Sequence, residues 1–265
     1  MSVRRGLLCC CLLWAGFYPS PGRAGDGAIQ AQQFWEQGQQ AMRRGQVDDA
    51  IRLYEQSLSA DPAFQRSHLN LAAAYLEKND EAAACHHLGK YLDAYPENLA
   101  ARTRYAELLA GLHRFKDAGS AYEAVIAAMQ DLPGPVEQGL VTPHTRLVEI
   151  AGASADAYGE HLHRGIALWL LARRRAVMAD PENDLPAESL LCKAAAELTL
   201  ASLEQPREAR PCLYLYQVWS HLGQQQPALC RLRQAEDAAP FSYLTPAEQR
   251  TLHLACQARR DEPIR

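Results

Sequence analysis

Runs of β-branched residues are scarce in this 265-residue chain, and aromatics supply only 8% of it. That scarcity argues against a sheet-built core. Excess positive charge is also missing: the formal net charge is −4, which gives no broad attraction to nucleic acid. There is no glycine-rich phosphate loop behind a strand, no HExxH and no Gly-x-Ser-x-Gly. Without those arrangements no residue is nominated as catalytic, no cofactor is implied, and the expectation is a protein that is not an enzyme. What is present in quantity is Ala, Leu, Gln, Glu and Arg, all good helix formers. Hydrophobic residues make up 48%, enough for one extended domain or two small ones. The expectation is an all-α protein.

The first residues read as a targeting segment. Arg4 and Arg5 precede an apolar stretch, Gly6 to Tyr18, of 13 residues. Pro19, Pro21 and Gly22 end it, and Gly22-Arg23-Ala24 places small residues where a signal peptidase reads. Residues 1–24 are therefore expected to be a signal peptide, with export to a periplasmic or extracellular (secretory) compartment. The stretch is short for a bilayer span, so the mature chain is expected to carry no stable one. An uncleaved signal would instead leave the chain tethered to the membrane. Cleavage removes Arg4, Arg5 and Arg23 and no acid, taking the formal charge from −4 to −7.

Of the eight cysteines, five lie beyond this segment: Cys85, Cys192, Cys212, Cys230 and Cys256. The number is odd and no CxxC occurs among them, so at least one is unpaired within the chain. All five sit among apolar residues, and buried core thiols are favoured over disulfides. Cys212 with Cys230 is the one pairing the pattern suggests.

Self-similarity at a fixed step decides the architecture. Gly38, Ala72 and Ala106 are 34 residues apart, as are Ala50, Ala84 and Ala118, then Tyr54, Leu88 and Tyr122, and also Pro62 and Pro96. Small residues in the first two columns let two antiparallel helices approach closely. Large apolar residues in the third fill the space between successive hairpins, and the prolines stop each second helix. The segments Gly45-Gln46-Val47-Asp48-Asp49-Ala50-Ile51, Asp61-Pro62 and Gly111-Leu112-His113-Arg114-Phe115-Lys116-Asp117-Ala118 carry a likeness that can be named. In them the sequence resembles the tetratricopeptide repeat, a helix-turn-helix unit. The resemblance covers repeats at 31–64, 65–98 and 99–132, within a region 25–132. It implies a right-handed superhelical α-solenoid of such hairpins.

A stretch at 133–143 holding Pro133, Gly134, Pro135 and Pro143 reads as a linker. The remainder, 144–265, reads as a divergent helical region of the same type. Pro206 and Pro240, Ala194 and Ala228, Leu198 and Leu232, and Ala201 and Ala235 again stand 34 apart, so 209–242 resembles a repeat with Gly223 at its turn. The stretch 187–206 then reads as a second helix, with Tyr158 to Ala179 as its first. A rival phasing takes Asp180-Pro181-Glu182-Asn183 as a repeat end. Thr245-Pro246-Ala247-Glu248 has the form of a helix start with a capping box, and that last helix would close the open end of the stack.

Two clusters invite other readings. His86-His87 and His161-Leu162-His163 diverge on a helix, so no metal site is expected. Arg173-Arg174-Arg175, with His161, His163 and Arg164, gives one helix a cationic side that is expected to be solvated.

The resemblance implies function as well as fold: a concave inner face, lined by first helices, that takes a protein or peptide partner. Carried over position by position, that groove would present Trp35, Gln39, Arg66, Asn70, Thr103, Arg104 and Glu107. Asn70 and Arg104 match a clamp for a C-terminal carboxylate, whereas Trp35 and Ala100 stand where it has lysines and Gln39 where it has Asn. The expectation is a non-catalytic scaffold or adaptor. The alternative is an oligomerisation or regulatory module that self-associates through its C-terminal half, by Leu213-Tyr214-Leu215-Tyr216 and Trp219.

Overall fold

A computed structural model describes residues 24–132, 137–178 and 186–261. The segment read as a signal lies outside them except for Ala24. The described residues form twelve α-helices and one 3-10 turn, with no strand among them. None of these helices is long and apolar enough to cross a membrane. The chain divides into two compact units at Asn70/Leu71, and the helices are α1 Ala24–Arg43, α2 Val47–Ala60, α3 Arg66–Glu77, α4 Glu81–Ala94, α5 Leu99–Gly111, α6 Phe115–Gln130, α7 Glu137–Ala153, α8 Ala157–Met178, α9 Ala187–Glu204, α10 Ala209–His221, α11 Gln225–Ala238 and α12 Pro246–Asp261.

In the first unit α1 and α2 form one hairpin. A Cβ on Gly38 would stand 2.5 Å from the Tyr54 ring, so only glycine allows this approach. The hairpin is tied at its far end by the Ser57 hydroxyl, which donates to the Ala31 carbonyl at 2.8 Å while accepting from Ser67 at 2.8 Å.

In the second unit the Tyr75 ring of α3 stacks on His87 of α4 at 5.4 Å. From α4 to α11 each helix packs on the next. Asp80 and Asn98 begin α4 and α5 by accepting the Ala83 and Ala101 amides, each at 3.0 Å, as N-caps do. Helix α12 turns back onto α6, α10 and α11. Leu252 and Cys256 of α12 pack there with Cys212, Leu213, Leu232 and Leu244.

One turn recurs. Gly45, Asn79, His113, Ala155 and Gly223 have φ of 73°, 58°, 58°, 57° and 70°. After each, the next amide donates back to the carbonyl five residues earlier: Gln46 to Ala41, Asp80 to Tyr75, Arg114 to Leu109, Asp156 to Ala151 and Gln224 to Trp219, at 2.8–2.9 Å. This is the left-handed helix stop that satisfies orphan carbonyls. It joins α1 to α2, α3 to α4, α5 to α6, α7 to α8 and α10 to α11. Helix α8 is therefore the second arm of a hairpin with α7. It also lies as close to α9, where a Cβ on Gly165 would meet Leu198 at 2.6 Å, a contact of the same kind as Gly38 with Tyr54.

Three expectations need correction. The stretch 133–143 is not all linker: α7 begins at Glu137 and Pro143 lies inside it. Packing of α7 between α6 and α8 offsets the few kcal/mol (about 3) that an interior proline costs. The thiols are not all buried. Cys85, Cys212 and Cys256 are, but Cys192 and Cys230 point outward from α9 and α11, and all five are free. Finally, α8 has no continuous cationic side. His163 is 7% exposed, and His161 and Arg164 both face Glu197, at 2.7 and 3.7 Å.

Candidate functional site: paired charges beside a groove

The expected groove residues fall into both units. In the first, Arg66 lies over the Trp35 ring at 5.9 Å, and Phe64 meets the same ring edge-on at 6.1 Å. Asn70 hydrogen-bonds the Tyr54 hydroxyl, a contact that lowers the Tyr54 pKa although burial raises it overall. Gln39 is half-buried on α1. In the second unit Thr103 turns its hydroxyl back to the Leu99 carbonyl at 2.9 Å. Arg104 pairs with Glu107 at 2.8 Å.

The structure brings to that last pair a second one that the repeat columns did not nominate. Arg146 and Glu149 of α7 pair at 2.7 Å, each 42 residues beyond its counterpart in α5. His113 and Ala155, the left-handed turn residues, have the same 42-residue offset. The two pairs thus occupy one repeat position on two first helices. They border a groove of about 520 Å³, with Phe115, Tyr122 and Ile150 also lining it. The 34-residue step hid α7, because eight extra residues precede its turn.

Sequence reading also missed a buried polar assembly. Arg210, from the apolar start of α10, donates to Glu123 of α6 at 3.0 and 3.3 Å and to Glu248 of α12 at 3.1 Å. Glu248 also accepts the Tyr214 hydroxyl at 3.0 Å and the Thr245 amide at 2.9 Å, while its own amide donates to the Thr245 hydroxyl at 3.2 Å. That hydroxyl donates to Gln130 at 2.7 Å. On the other side of Glu123 stands His163, 3.4 Å away, and His163 in turn meets His144 at 3.0 Å between Nδ1 atoms.

Burial works against charge throughout this assembly. It lowers the His144 pKa far below the ordinary value and takes His163 to about 3, in each case aided by the charge of Arg210. Burial also pulls on Arg210, but Glu248 and Glu123 overcome it and hold the guanidinium charged. Among the described residues no group of three or more His, Cys, Asp or Glu is placed to hold a metal ion.

Comparison with known proteins bears on the repeat itself. The profile described as "Tetratricopeptide repeat" matches residues 41–85, from the last turn of α1 into α4. Solved structures with detectable likeness include the MamA protein, at 16% identity, covering 79% of this chain and 91% of that one with a TM-score of 0.42. Another is the first TPR of Spaghetti (RPAP3) bound to an HSP90 peptide, at 22%, 48%, 95% and 0.39 by the same measures. The Sgt2 TPR domain from Aspergillus fumigatus stands at 28%, 47%, 83% and 0.38. The chain carries a tetratricopeptide-type repeat in an all-α array of helical hairpins.

Proposed function

We propose that this chain is a non-catalytic scaffold that holds a peptide or partner protein against its first helices. The observation that carries this reading is the repeated Arg–Glu pair on α5 and α7 beside the groove. Exposed pairs of this kind are held by about 1 kcal/mol or less, so each partner can open them cheaply and substitute its own charge. The wall therefore suits a partner presenting both acidic and basic side chains, and Trp35 with Arg66 offers the first unit an aromatic–cationic contact. We further propose that the chain acts after export, which rests on residues 1–24.

The test is affinity capture with residues 25–265 from the native envelope or secretory fraction. Wild type is compared with Arg104→Glu/Arg146→Glu, and with Trp35→Ala/Arg104→Ala. A partner recovered by wild type and lost from the charge-reversed variant supports the reading, provided helicity and melting are unchanged. Equal recovery from all three chains refutes it.

The self-association reading changes its residues. Leu213, Tyr214 and Leu215 are buried in the chain's own core and cannot meet a second copy. Phe241, Tyr243 and Leu254 are instead exposed, at 81%, 68% and 63%, near the start and along the length of α12. If the chain self-associates there, light scattering should show a concentration-dependent mass that Phe241→Ser/Tyr243→Ser abolishes. A mass unchanged by that variant removes this alternative.

A further inference from the structure

Tyr54 and Tyr122 share one repeat column, but their hydroxyls are treated differently. In the first unit Asn70 hydrogen-bonds the Tyr54 hydroxyl. Arg104 and Arg146 hold the repeat position of Asn70, and each turns to a glutamate of its own helix instead. Tyr122 is only 1% exposed. Its hydroxyl feels Glu107, Arg146 and Glu149 as charges, and no side chain bonds it. All three line the groove of about 520 Å³ together with Tyr122, so the hydroxyl end of the ring is the end that faces it. Nor is the hydroxyl sealed off. Among the described residues, the buried side-chain atoms without a partner belong to Trp35, Gln65, His144, Trp169 and Arg259. Tyr122 Oη is not one of them because it reaches the open groove. A nearly buried ring thus presents an unmet hydrogen bond there.

The surroundings select the guest. Burial and then Glu107 raise the phenol pKa, Arg146 lowers it and Glu149 raises it, so two anions and one cation surround a neutral hydroxyl. Arg104 is not among the charges it feels. The local balance is negative, and the whole chain is acidic as well, at −4; both favour a cation. Each Arg–Glu pair uses only the Oε2 atom of its carboxylate, which leaves Oε1 of Glu107 and of Glu149 for a guest. A lysine ammonium has three N–H donors and no acceptor, to set against the Tyr122 oxygen and those two carboxylates. Its aliphatic stem can lie along apolar surface, which Phe115 and Ile150 supply in the same groove.

We propose that this groove seats a lysine side chain of the bound partner, with its ammonium at Tyr122, Glu107 and Glu149. The proposal rests on the scaffold reading above and assigns a place to the basic member of the partner's charges. Arg104 and Arg146 remain for the acidic ones.

The full chain, ¹³C-labelled at isoleucine methyl groups, is titrated with three capped peptides, Ala-Leu-Xaa-Leu-Ala, that differ only in a central Lys, Gln or Glu. The Ile150 resonance is identified as the one absent from Ile150→Val. The expected result is a saturable Ile150 shift with the Lys peptide, at a dissociation constant of about 1 mM or below, and binding at least about tenfold weaker with Gln or Glu. Tyr122→Phe should melt no lower than wild type, because the lost hydroxyl bonds nothing in the chain. It should weaken the Lys peptide about tenfold or more. Should Tyr122→Phe fail to fold, Glu107→Gln, on a partly exposed side chain, replaces it with the same expected loss. An Ile150 resonance unmoved by the Lys peptide overturns the proposal. A Gln or Glu peptide that binds as tightly, or undiminished binding by the folded variant, does the same. The two readings fail separately. A partner that depends on Arg104 and Arg146 but is captured equally by Tyr122→Phe removes only the lysine seat, whereas capture indifferent to charge reversal refutes the scaffold reading itself.

Discussion

Replacing Arg210 with Met should expose how far the second unit depends on its buried charges. Met replaces the aliphatic stem but not the guanidinium, and leaves Glu248, 3% exposed, and Glu123, whose side chain is 28% exposed, without their cation. Removing one partner of a buried pair costs roughly 3–5 kcal/mol. Glu123 can regain water, and Glu248 keeps the Tyr214 hydroxyl and the Thr245 amide, so the lower half of that range, about 3–4 kcal/mol, is expected. For a unit of this size that corresponds to a fall of roughly 6–16 °C in Tm. The loss should appear first in α12, because the reciprocal Thr245–Glu248 pair of hydrogen bonds that caps that helix uses Glu248. Circular dichroism melts give the total, and amide exchange along α12 gives the location. A second substitution supplies the decisive arm. Glu248→Gln removes the stranded charge while keeping an acceptor, so Arg210→Met/Glu248→Gln should recover about half the loss or more. If Arg210→Met costs under about 1 kcal/mol, or if Glu248→Gln deepens the damage, the electrostatic account of this core is wrong.

Acid should weaken the fold through the two histidines. Their folded pKa values lie below the unfolded value near 6.5, so the unfolded chain binds protons first. Stability is complete above about pH 6.5 and declines as pH falls toward 3, by up to about 2 kcal/mol per histidine at pH 5. Urea titrations at pH 7.5 and 5.0 would show this, and a flat profile would contradict it. Ala155→Gly should stabilise by up to about 1 kcal/mol, because Ala155 sits at φ 57° where a Cβ is strained and the gain exceeds the entropy that glycine adds to the unfolded chain; thermal melts of the variant decide. Finally, Ellman's reagent on the folded mature chain should titrate Cys192 and Cys230 quickly, while Cys85, Cys212 and Cys256 wait for unfolding. Their burial raises all three thiol pKa values, which lowers thiolate content as well as access. Rapid reaction of all five would refute that burial pattern.

The paired charges were legible in part. Arg104 and Glu107 follow from carrying the repeat family's groove positions over to this sequence, and they line the pocket shared with Arg146 and Glu149. Arg146 and Glu149 do not follow, because the step breaks before α7, and only the recurring left-handed turn restores the register. That turn is hard to read from sequence where Asn79, His113 and Ala155 replace the usual glycine. Pro143 added to the difficulty by marking a helix interior as a boundary.

The sequence by itself determined that the chain is helical, where its first hairpins turn, and which columns are small and which large. Those are local properties: propensity, periodicity and the steric demand of close helix contact act over one repeat. Tertiary structure decided that α8 serves both α7 and α9, that Leu213 to Leu215 are core and not surface, and that His144, His163, Glu123, Arg210 and Glu248 meet. Glu123 and Arg210 are 87 residues apart. Nothing in a repeat pattern encodes such a meeting, because it depends on α12 folding back over α6, and only the burial that results turns ordinary surface residue types into a single charged core.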